Sequence, residues 1–287
     1  MSLATAGPLE TRLLRPAERT AALAHLARDP VTNLFLMDLV ARVGGSGAPG
    51  ELPAEVASAW DDPELVGLIA LRPSVMLDAS LTPAVMEALL PLVESFGVGL
   101  IKSSAPLVDW LWEALCRNGR AATPRVDRRE TCYVLRPGEG DLDAPDAHPT
   151  RPAEERDLDA LVHAARESLR EEGRTDPFSG DRLGFQRWVR GRLHRARVVE
   201  HEGRVVFVGY ADVQRPEGWL VQGVYTWPEV RKRGFATAGM RSLCREAFAS
   251  GAEHIQLAVV EDNGPGQALY EGIGFEATSQ LRTILFA

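Results

Sequence analysis

The sequence predicts an α/β protein, in the wide sense that includes α+β folds, built as two domains in which helices pack on sheets. Two observations lead to this prediction. Strand-like apolar runs and helix-like segments alternate in the same order in both halves of the 287-residue chain. Between Arg136 and Pro149 the composition shifts to Pro, Gly, Asp and Ala, which is typical of a linker. We therefore expect a first domain at 1–137, a linker at 138–148 and a second domain at 149–287.

The first half contains five predicted elements in the order strand, helix, strand, helix and strand, at residues 65–71, 83–96, 98–101, 107–116 and 131–135. Upstream of them, Leu34, Met37 and Leu39 recur at helical spacing and favour a helix that faces the core. A second interpretation of this segment places Asn33 and Asp38 in a ligand cleft.

The second half opens with a short strand at 150–153 and an amphipathic helix from residue 158. A hairpin turning at Glu202-Gly203, a strand at 220–226, a helix at 236–250 and a buried strand at 255–260 follow. Residues 181–195 are rich in Arg and form a further predicted helix. An amphipathic surface helix on the sheet is favoured there over a direct substrate contact.

Composition narrows the class of protein. A net charge of −8 argues against a general nucleic-acid binder, because neutralising phosphates requires clustered Lys and Arg. No apolar run reaches the roughly 18 residues of a membrane span, and the first residues lack the features of a signal peptide. We therefore expect a cytoplasmic protein that binds neither nucleic acid nor membrane.

Cysteine and histidine spacing predicts no metal site. The three cysteines, Cys116, Cys132 and Cys244, are far apart and without C-x-x-C spacing, so a disulfide framework or zinc site is unsupported. The six histidines form no H-x-x-x-H or His-Cys cluster. The cysteines are expected to be buried thiols.

A basic, glycine-containing run lies between the strand at 220–226 and the next helix. Arg231, Gly234 and Ala236 fit the pattern R-x-x-G-x-A, in which small residues allow a tight turn and expose backbone N–H groups at a helix N-terminus. Such a turn can hold a pyrophosphate. The alternative is a solvated turn with a basic rim. Neither G-x-G-x-x-G nor G-x-x-x-x-G-K-[ST] occurs in the chain, which argues against the common dinucleotide and nucleoside-triphosphate loops.

A second motif follows the strand at 255–260. Asn263, Ala268-Leu269-Tyr270 and Gly274-Phe275 complete the order strand, R-x-x-G-x-A, helix, strand, N-x-x-x-x-A-L-Y-x-x-x-G-F. This succession resembles the Gcn5-related N-acetyltransferase (GNAT) superfamily, over roughly residues 150–287. The first half repeats the order of elements without either motif, so it resembles a degenerate copy in a tandem arrangement.

The resemblance implies two GNAT-like domains, each a mixed, mostly antiparallel twisted sheet flanked by helices, with a splayed pair of parallel strands in the second. It also implies acetyl-CoA as the acyl-donor co-substrate, held between the splayed strands and on the basic loop, without a metal. The implied binding residues are Val224, Tyr225, Thr226, Arg231, Lys232, Arg233, Gly234, Phe235, Ala236, Thr237, Asn263 and Tyr270.

The same resemblance implies that an acceptor amine attacks the thioester directly and that Tyr270 protonates the departing thiolate. The alternative for Tyr270 is packing beneath Gly274-Phe275. Glu261 is the candidate general base, while Asp262 on the same strand end, or a water held by Gln222 and Tyr225, remain open for that role.

Two functions from different classes are compatible with these residues. The first is an N-acetyltransferase acting on a primary amine, either a small molecule or a protein lysine or N-terminus. The alternative is a non-catalytic acyl-CoA-binding module that regulates a partner. Tyr270 beside the basic loop favours catalysis. The chain is expected to be a monomer or a homodimer.

Overall fold

The computed structural model describes residues 9–45, 52–95, 99–119, 123–142, 148–174, 176, 178 and 180–286. These residues fall into two compact units. The first unit runs up to Glu130 and resumes at Ser279, and the second is Thr131–Thr278. This division falls within two strands, ahead of the linker that the sequence predicts at 138–148, of which 143–147 lie outside the described residues.

In its described residues, the first half of the chain forms six strands and four α-helices. The strands are β1 (Glu10–Leu13), β2 (Glu55–Asp61), β3 (Glu64–Arg72), β4 (Met76–Leu77), β5 (Gly99–Ser104) and β6 (Val126–Leu135). The helices are α1 (Arg19–Leu26), α2 (Pro30–Ala41), α3 (Pro83–Glu94) and α4 (Ala105–Arg117). The five predicted elements and the core-facing helix are confirmed among these, whereas β1, β2, β4 and α1 are additional.

The second half repeats this order. Its strands are β7 (Arg151–Pro152), β8 (Ala196–His201), β9 (Arg204–Arg215), β10 (Gly218–Thr226), β11 (Ile255–Val260) and β12 (Glu276–Phe286). Its α-helices are α5 (Leu158–Glu171), α6 (Arg182–Gly191), α7 (Phe235–Ala249) and α8 (Gly264–Ile273). Helix α8 starts where the Asn263 side chain accepts the N–H of Gly266, and it ends at Gly274, whose φ of +113° suits glycine.

The first unit contains an antiparallel sheet in the order β1-β2-β3-β4. Strand β4 leads to β5 through one parallel bridge, between Val75 and Ile101. Strand β5 pairs antiparallel with residues 281–286 of β12, and Ile284 lies opposite Ile101. Helices α3 and α4 cover these strands with a core that includes Leu89, Leu111 and Trp112.

The second unit is built on one sheet in the order β6-β11-β10-β9-β8-β7. Its pairs from β7 to β10 are antiparallel and β10 runs parallel to β11. Alternate side chains of β9 point to opposite faces. Phe207 packs in a core with α7 and α8, and Val208 in a core with α5 and α6. The sheet is therefore covered on both faces, which confirms the predicted fold class.

Three further findings concern functional classes. No helix in the described ranges is long and apolar enough to cross a membrane. In those same ranges, no group of three or more His, Cys, Asp and Glu side chains is placed to hold a metal ion. The three cysteines are free thiols, of which Cys132 and Cys244 are buried and Cys116 is partly buried.

Candidate active site at the end of β10

Strands β10 and β11 separate soon after they meet. Their parallel pairing is confined to Trp219 with Ile255 and Leu220 with Gln256. Beyond these residues the strands no longer pair, although each continues for several residues. An opening therefore lies between 221–226 of β10 and 257–260 of β11, and we call it the β10–β11 opening. Splayed parallel strands leave backbone N–H and C=O groups without a ladder partner, and such groups can bind an extended ligand.

A bulge in β10 adjoins this opening. The register with β9 shifts between Gln222 and Tyr225, so that Gly223 and Val224 together oppose the single residue Gly209. Gly223 has a φ of +58°, a value that favours glycine. A β-bulge bends its strand and frees backbone groups from the ladder. The backbone of Gly223 and Val224 is therefore available next to the opening.

The side chains of β10 near the opening differ in exposure. Gln222, Val224 and Thr226 are half-buried. Tyr225 is buried, and its ring packs edge-on against Trp227 at 5.3 Å. Burial also raises the pKa of Tyr225. Tyr225 therefore acts first as a core residue on the side of α5.

The segment between β10 and α7 turns through two left-handed residues. Lys232 has a φ of +61° and Gly234 a φ of +85°. Gly234 precedes the first turn of α7, and no side chain caps that turn. The first N–H groups of an α-helix have no partner within the helix, and here they belong to Phe235, Ala236 and Thr237. Because the helix dipole adds positive potential, this N-terminus is suited to an anion.

Arg231 is already engaged within the unit. Its Nη2 donates to both carboxylate oxygens of Glu171, at 2.7 and 2.9 Å, and its Nε donates to the carbonyl oxygen of Thr226 at 2.9 Å. Its guanidinium lies 5.5 Å from the Tyr225 ring centre. The Glu171 carboxylate therefore partly neutralises the charge of Arg231, and the main role of Arg231 is to hold the shape of the loop.

Phe235 is surrounded by cationic and imidazole groups. Its ring is 2% exposed and lies 4.5 Å from that of His148 and 4.9 Å from that of His201. The Arg233 guanidinium stands 5.3 Å from the same ring, with Nη2 3.4 Å from Nε2 of His201. This cluster fixes the first turn of α7. Lys232 is exposed and makes no ion pair with any described residue.

Tyr270 lies in the core beside β11. Its side chain is 7% exposed and packs against the rings of Tyr133 at 6.4 Å and Phe275 at 5.8 Å. Its hydroxyl forms no hydrogen bond within the described part of the chain. Burial, with a smaller contribution from Cys244, raises the pKa of Tyr270 well above its usual value. The phenol is therefore protonated at neutral pH and has a proton to donate.

The residues after β11 are more exposed. Glu261 and Asp262 are exposed, and the Glu261 carbonyl oxygen accepts a hydrogen bond from Gln267 at 3.1 Å. The Asn263 side chain accepts the N–H of Gly266 at 3.0 Å and so caps α8. The observed role of Asn263 is therefore to start the helix that carries Tyr270.

A groove of about 760 Å³ opens beside the basic loop, at the end of the sheet where β10 stops. Trp227 and His163 lie on one side of it with their rings stacked at 6.1 Å. The remaining lining mixes Arg156, Arg204 and Arg233 with several carboxylates. Its charges nearly cancel, so its chemistry does not define a ligand.

Comparison with known proteins agrees with this geometry. Residues 158–275 match the model of the acetyltransferase (GNAT) family. This part of the chain is a GNAT domain. The match contains the basic loop, the β10–β11 opening and Tyr270, and it supports a function of the acetyltransferase type.

Solved structures extend the likeness in fold to nearly the whole chain. A Drosophila protein shares the fold with a TM-score of 0.70 at 14% identity, over 96% of this chain and 98% of its own. A tandem GNAT protein from the clavulanic acid biosynthesis pathway matches with a TM-score of 0.60 at 15% identity, over 96% and 98%. A GCN5-related N-acetyltransferase from Sphaerobacter thermophilus matches at 0.57 and 14%, over 97% and 95%. The chain therefore has the fold of a tandem GNAT protein, as predicted.

In the first unit, the turn after β4 corresponds by its order to the basic loop of the GNAT domain, but its donors are used internally. Both the N–H and the hydroxyl of Ser80 donate to Asp78 Oδ1 at 2.9 Å. The N–H of Ala79 donates to Asn33 Oδ1 at 2.9 Å, and Nε2 of His25 lies 2.7 Å from Asp78 Oδ2. A fully buried carboxylate therefore occupies this turn.

The helix that follows this turn offers fewer free donors than α7. Its first residue, Pro83, has no N–H, and the Thr82 hydroxyl caps the N–H of Val85 at 3.4 Å. The interpretation of Asn33 as a cleft residue is not supported, since its side chain is 2% exposed and is bonded to Leu26 and Ala79.

Sequence reasoning missed the residues that hold the loop from a distance. Glu171 on α5, His148 before β7 and His201 on β8 all contact it, yet they lie far from it in the chain. No local motif marks such contacts. Only the predicted proximity of α5 and β8 to the end of β10 could have indicated them.

Proposed function

We propose that the protein is an acetyl-CoA-dependent N-acetyltransferase that acts on a primary amine. The observation that carries the proposal is the β10–β11 opening, which begins after Leu220 and lies beside the uncapped N-terminus of α7. The unpaired backbone groups of β10 can hydrogen-bond an extended ligand, and the free N–H groups of α7 can bind an anionic group at one end of that ligand. Acetyl-CoA has this form, and it supplies an acetyl group activated as a thioester.

The proposed binding roles follow from the geometry of the loop. The N–H groups of Phe235, Ala236 and Thr237 bind the pyrophosphate, with Lys232 adding charge at the exposed edge. Gly234 admits the anion because no described atom lies within 4 Å of the place where its Cβ would stand. The backbone of Gly223 and Val224 hydrogen-bonds the arm along the bulge. Arg231, held by Glu171, supports the loop rather than the charge of the ligand.

Tyr270 is the proposed general acid. Its side chain is buried and its hydroxyl has no hydrogen-bond partner among the described residues, so the hydroxyl can donate to a bound group. Its raised pKa keeps the proton in place until a thiolate develops. Glu261, exposed just after β11, stays the candidate base. A water chain is equally compatible with the half-buried Gln222.

The acceptor is proposed at the level of chemical class only, as a small-molecule amine or a protein lysine or N-terminus. The first unit, by contrast, is proposed to bind no acetyl-CoA, because its corresponding turn contains Asp78 and a capped helix. The proposed cofactor chemistry uses no metal, and the protein is proposed to act in the cytoplasm as a monomer or homodimer without nucleic acid.

A thiol-release assay tests the proposal. The full chain is incubated with acetyl-CoA and a panel of amines that includes aliphatic polyamines, α-amino acids and lysine-containing peptides, and binding of acetyl-CoA is measured by calorimetry in parallel. Amine-dependent release of CoA is the expected result. Binding without turnover across the panel would favour the alternative, a non-catalytic acyl-CoA-binding regulatory module. Absence of binding would overturn both.

A further inference from the structure

One half-buried arginine lies beside the bulges of two neighbouring strands of the GNAT domain, β9 and β10. Arg192 is the residue that ends α6, and its side chain is 18% exposed. Its Nη2 and Nε donate to the two oxygens of Asp212 at 2.5 and 3.3 Å. Its guanidinium carbon lies 4.3 Å from the ring centre of Tyr210 and 5.0 Å from that of Trp188.

Asp212 is the extra residue in a bulge of β9. The register shifts between Leu220 and Val221 of β10, whose partners on β9 are Val213 and Ala211. Asp212 is therefore left over on β9, and its side chain is 7% exposed. The Asp212 carboxylate can fix the backbone geometry of this bulge only through its partner, Arg192.

The same arginine lies beside the bulge of β10. A Cβ added to Gly223 would stand 3.0 Å from Cδ2 of Tyr210 and 4.0 Å from Nη2 of Arg192. The Gly223 backbone therefore lies next to both the edge of the Tyr210 ring and the guanidinium that packs on this ring. Burial, opposed by Arg192, raises the pKa of Tyr210 to about 12, so the ring stays neutral and the pair with Asp212 keeps its charge balance.

We infer that Arg192 is a positioning residue that sets the β10 bulge. By holding Asp212 and stacking on Tyr210, it fixes the backbone groups of Gly223 and Val224 at the β10–β11 opening. This inference rests on the proposed function, which assigns those groups to the pantetheine arm. A buried ion pair stabilises a fold little in comparison with an apolar pair of similar size, but its fork constrains orientation. We therefore assign the Arg192–Asp212 pair a role in orienting the β10 bulge and not in stabilising the fold.

Comparing two ligands distinguishes the contribution of the β10 bulge to binding from that of the basic loop. Acetyl-CoA uses both the bulge and the N-terminus of α7, whereas adenosine 3′,5′-bisphosphate has no pantetheine arm and uses the loop side alone. Arg192→Met in the full chain is expected to weaken acetyl-CoA binding by about tenfold or more, as measured by calorimetry, without changing bisphosphate binding. Arg192→Lys keeps the charge but loses the two-pronged contact with Asp212. Its acetyl-CoA affinity is expected to lie between those of the wild type and Arg192→Met. This variant keeps the test decisive if Arg192→Met fails to fold.

The chain offers a matched control on the same two strands. Arg215 also forks to a carboxylate, with Nε and Nη2 each 3.0 Å from Glu217, at the hairpin end of β9 and β10. Its side chain is 15% exposed, close to that of Arg192. Arg215→Met is expected to leave the affinities for both ligands unchanged.

The double variant Arg192→Met, Asp212→Leu distinguishes positioning from stability, because it removes the ion pair without leaving one charge buried. We expect it to recover the melting temperature and not the acetyl-CoA affinity. Recovery of both, wild-type acetyl-CoA binding in the Arg192 variants, or an equal loss for both ligands would overturn the inference. Failure of the wild-type chain to bind acetyl-CoA would instead overturn the proposed function.

Discussion

The hydroxyl of Ser103 on β5 donates a hydrogen bond of 3.0 Å to the carbonyl oxygen of Leu77 on β4. Among the described residues, the backbone hydrogen bonds between these two segments are those of Val75, whose N–H donates to Leu100 and whose carbonyl oxygen accepts from Lys102. The serine therefore extends the contact past the point where the corresponding strands of the GNAT domain separate. No described side chain makes a similar bond between β10 and β11 beyond Leu220.

The first prediction is that the chain binds one acetyl-CoA. In the first unit, Ser103 bridges the strands, Asp78 occupies the turn and Thr82 caps the helix, so the features that we assign to ligand binding in the GNAT domain are not repeated among the described residues. Calorimetric titration of the full chain should give a stoichiometry near one. Two equivalent sites per chain would contradict this account.

The second prediction concerns Gly234. A valine there must adopt a φ near +85°, which costs about 1–3 kcal/mol of stability, and its side chain would occupy the place assigned to the pyrophosphate. We expect Gly234→Val to fold and to lose acetyl-CoA binding.

The matched control for this variant is Gly251→Val at the other end of α7. Gly251 has a φ of +90° and, like Gly234, has no described atom within 4 Å of an added Cβ. Both variants should lose similar stability by thermal unfolding, while only Gly234→Val loses the ligand. Equal binding by the two would remove Gly234 from the site.

The third prediction concerns Tyr270. Replacement by Phe keeps the packing against Tyr133 and Phe275 and removes a hydroxyl that has no described partner. Stability and acetyl-CoA affinity should hardly change, whereas turnover should fall roughly 10²-fold when chemistry limits the rate. Wild-type turnover in Tyr270→Phe would assign the proton to a water or another residue.

The fourth prediction is a pH dependence of stability in the first unit. Burial alone would raise the pKa of Glu130, but Lys102 at 2.8 Å and Arg128 at 3.1 Å outweigh it and lower the pKa to about 2. A carboxyl with a depressed pKa in the folded state stabilises it above the unfolded pKa, near 4.5, and loses this contribution as the pH falls towards 2.

Glu130→Gln should therefore lower the free energy of unfolding by roughly 3 kcal/mol at neutral pH, and the difference from wild type should shrink between pH 4.5 and 2. Thermal unfolding of both proteins across this range is the measurement. A difference that is independent of pH would show that Glu130 acts through shape and not through charge.

The sequence predicts the elements of the GNAT domain well because their signals are local. The apolar run of β11, the glycine that precedes α7 and the Asn263 cap can each be recognised within a few residues. The position of Tyr270 beside the strands follows from the same spacing. In the first half, the two residues of β4 and the exposed ends of β1 leave too little pattern to identify a strand.

The remaining features depend on contacts distant in sequence. The pairing of Arg231 with Glu171 needs α5 to end beside the loop, and the fork of Arg192 to Asp212 needs two bulges to align. Bulges arise from small differences in register between strands, which the alternation of side chains does not specify at one residue. The sequence therefore indicates the basic loop but not the distant residues that position it.

The order in which the chain is made has a consequence for folding. Residues 281–286 of β12 pair with β5 in the first unit, and they are synthesised after every residue of the second unit. During translation, the edge of β5 that pairs with β12 therefore stays unpaired until the ribosome has synthesised the whole GNAT domain. Exposed strand edges recruit other chains. Slow synthesis or a stop codon ahead of β12 should thus favour aggregation through β5, even though every residue of the basic loop is already present.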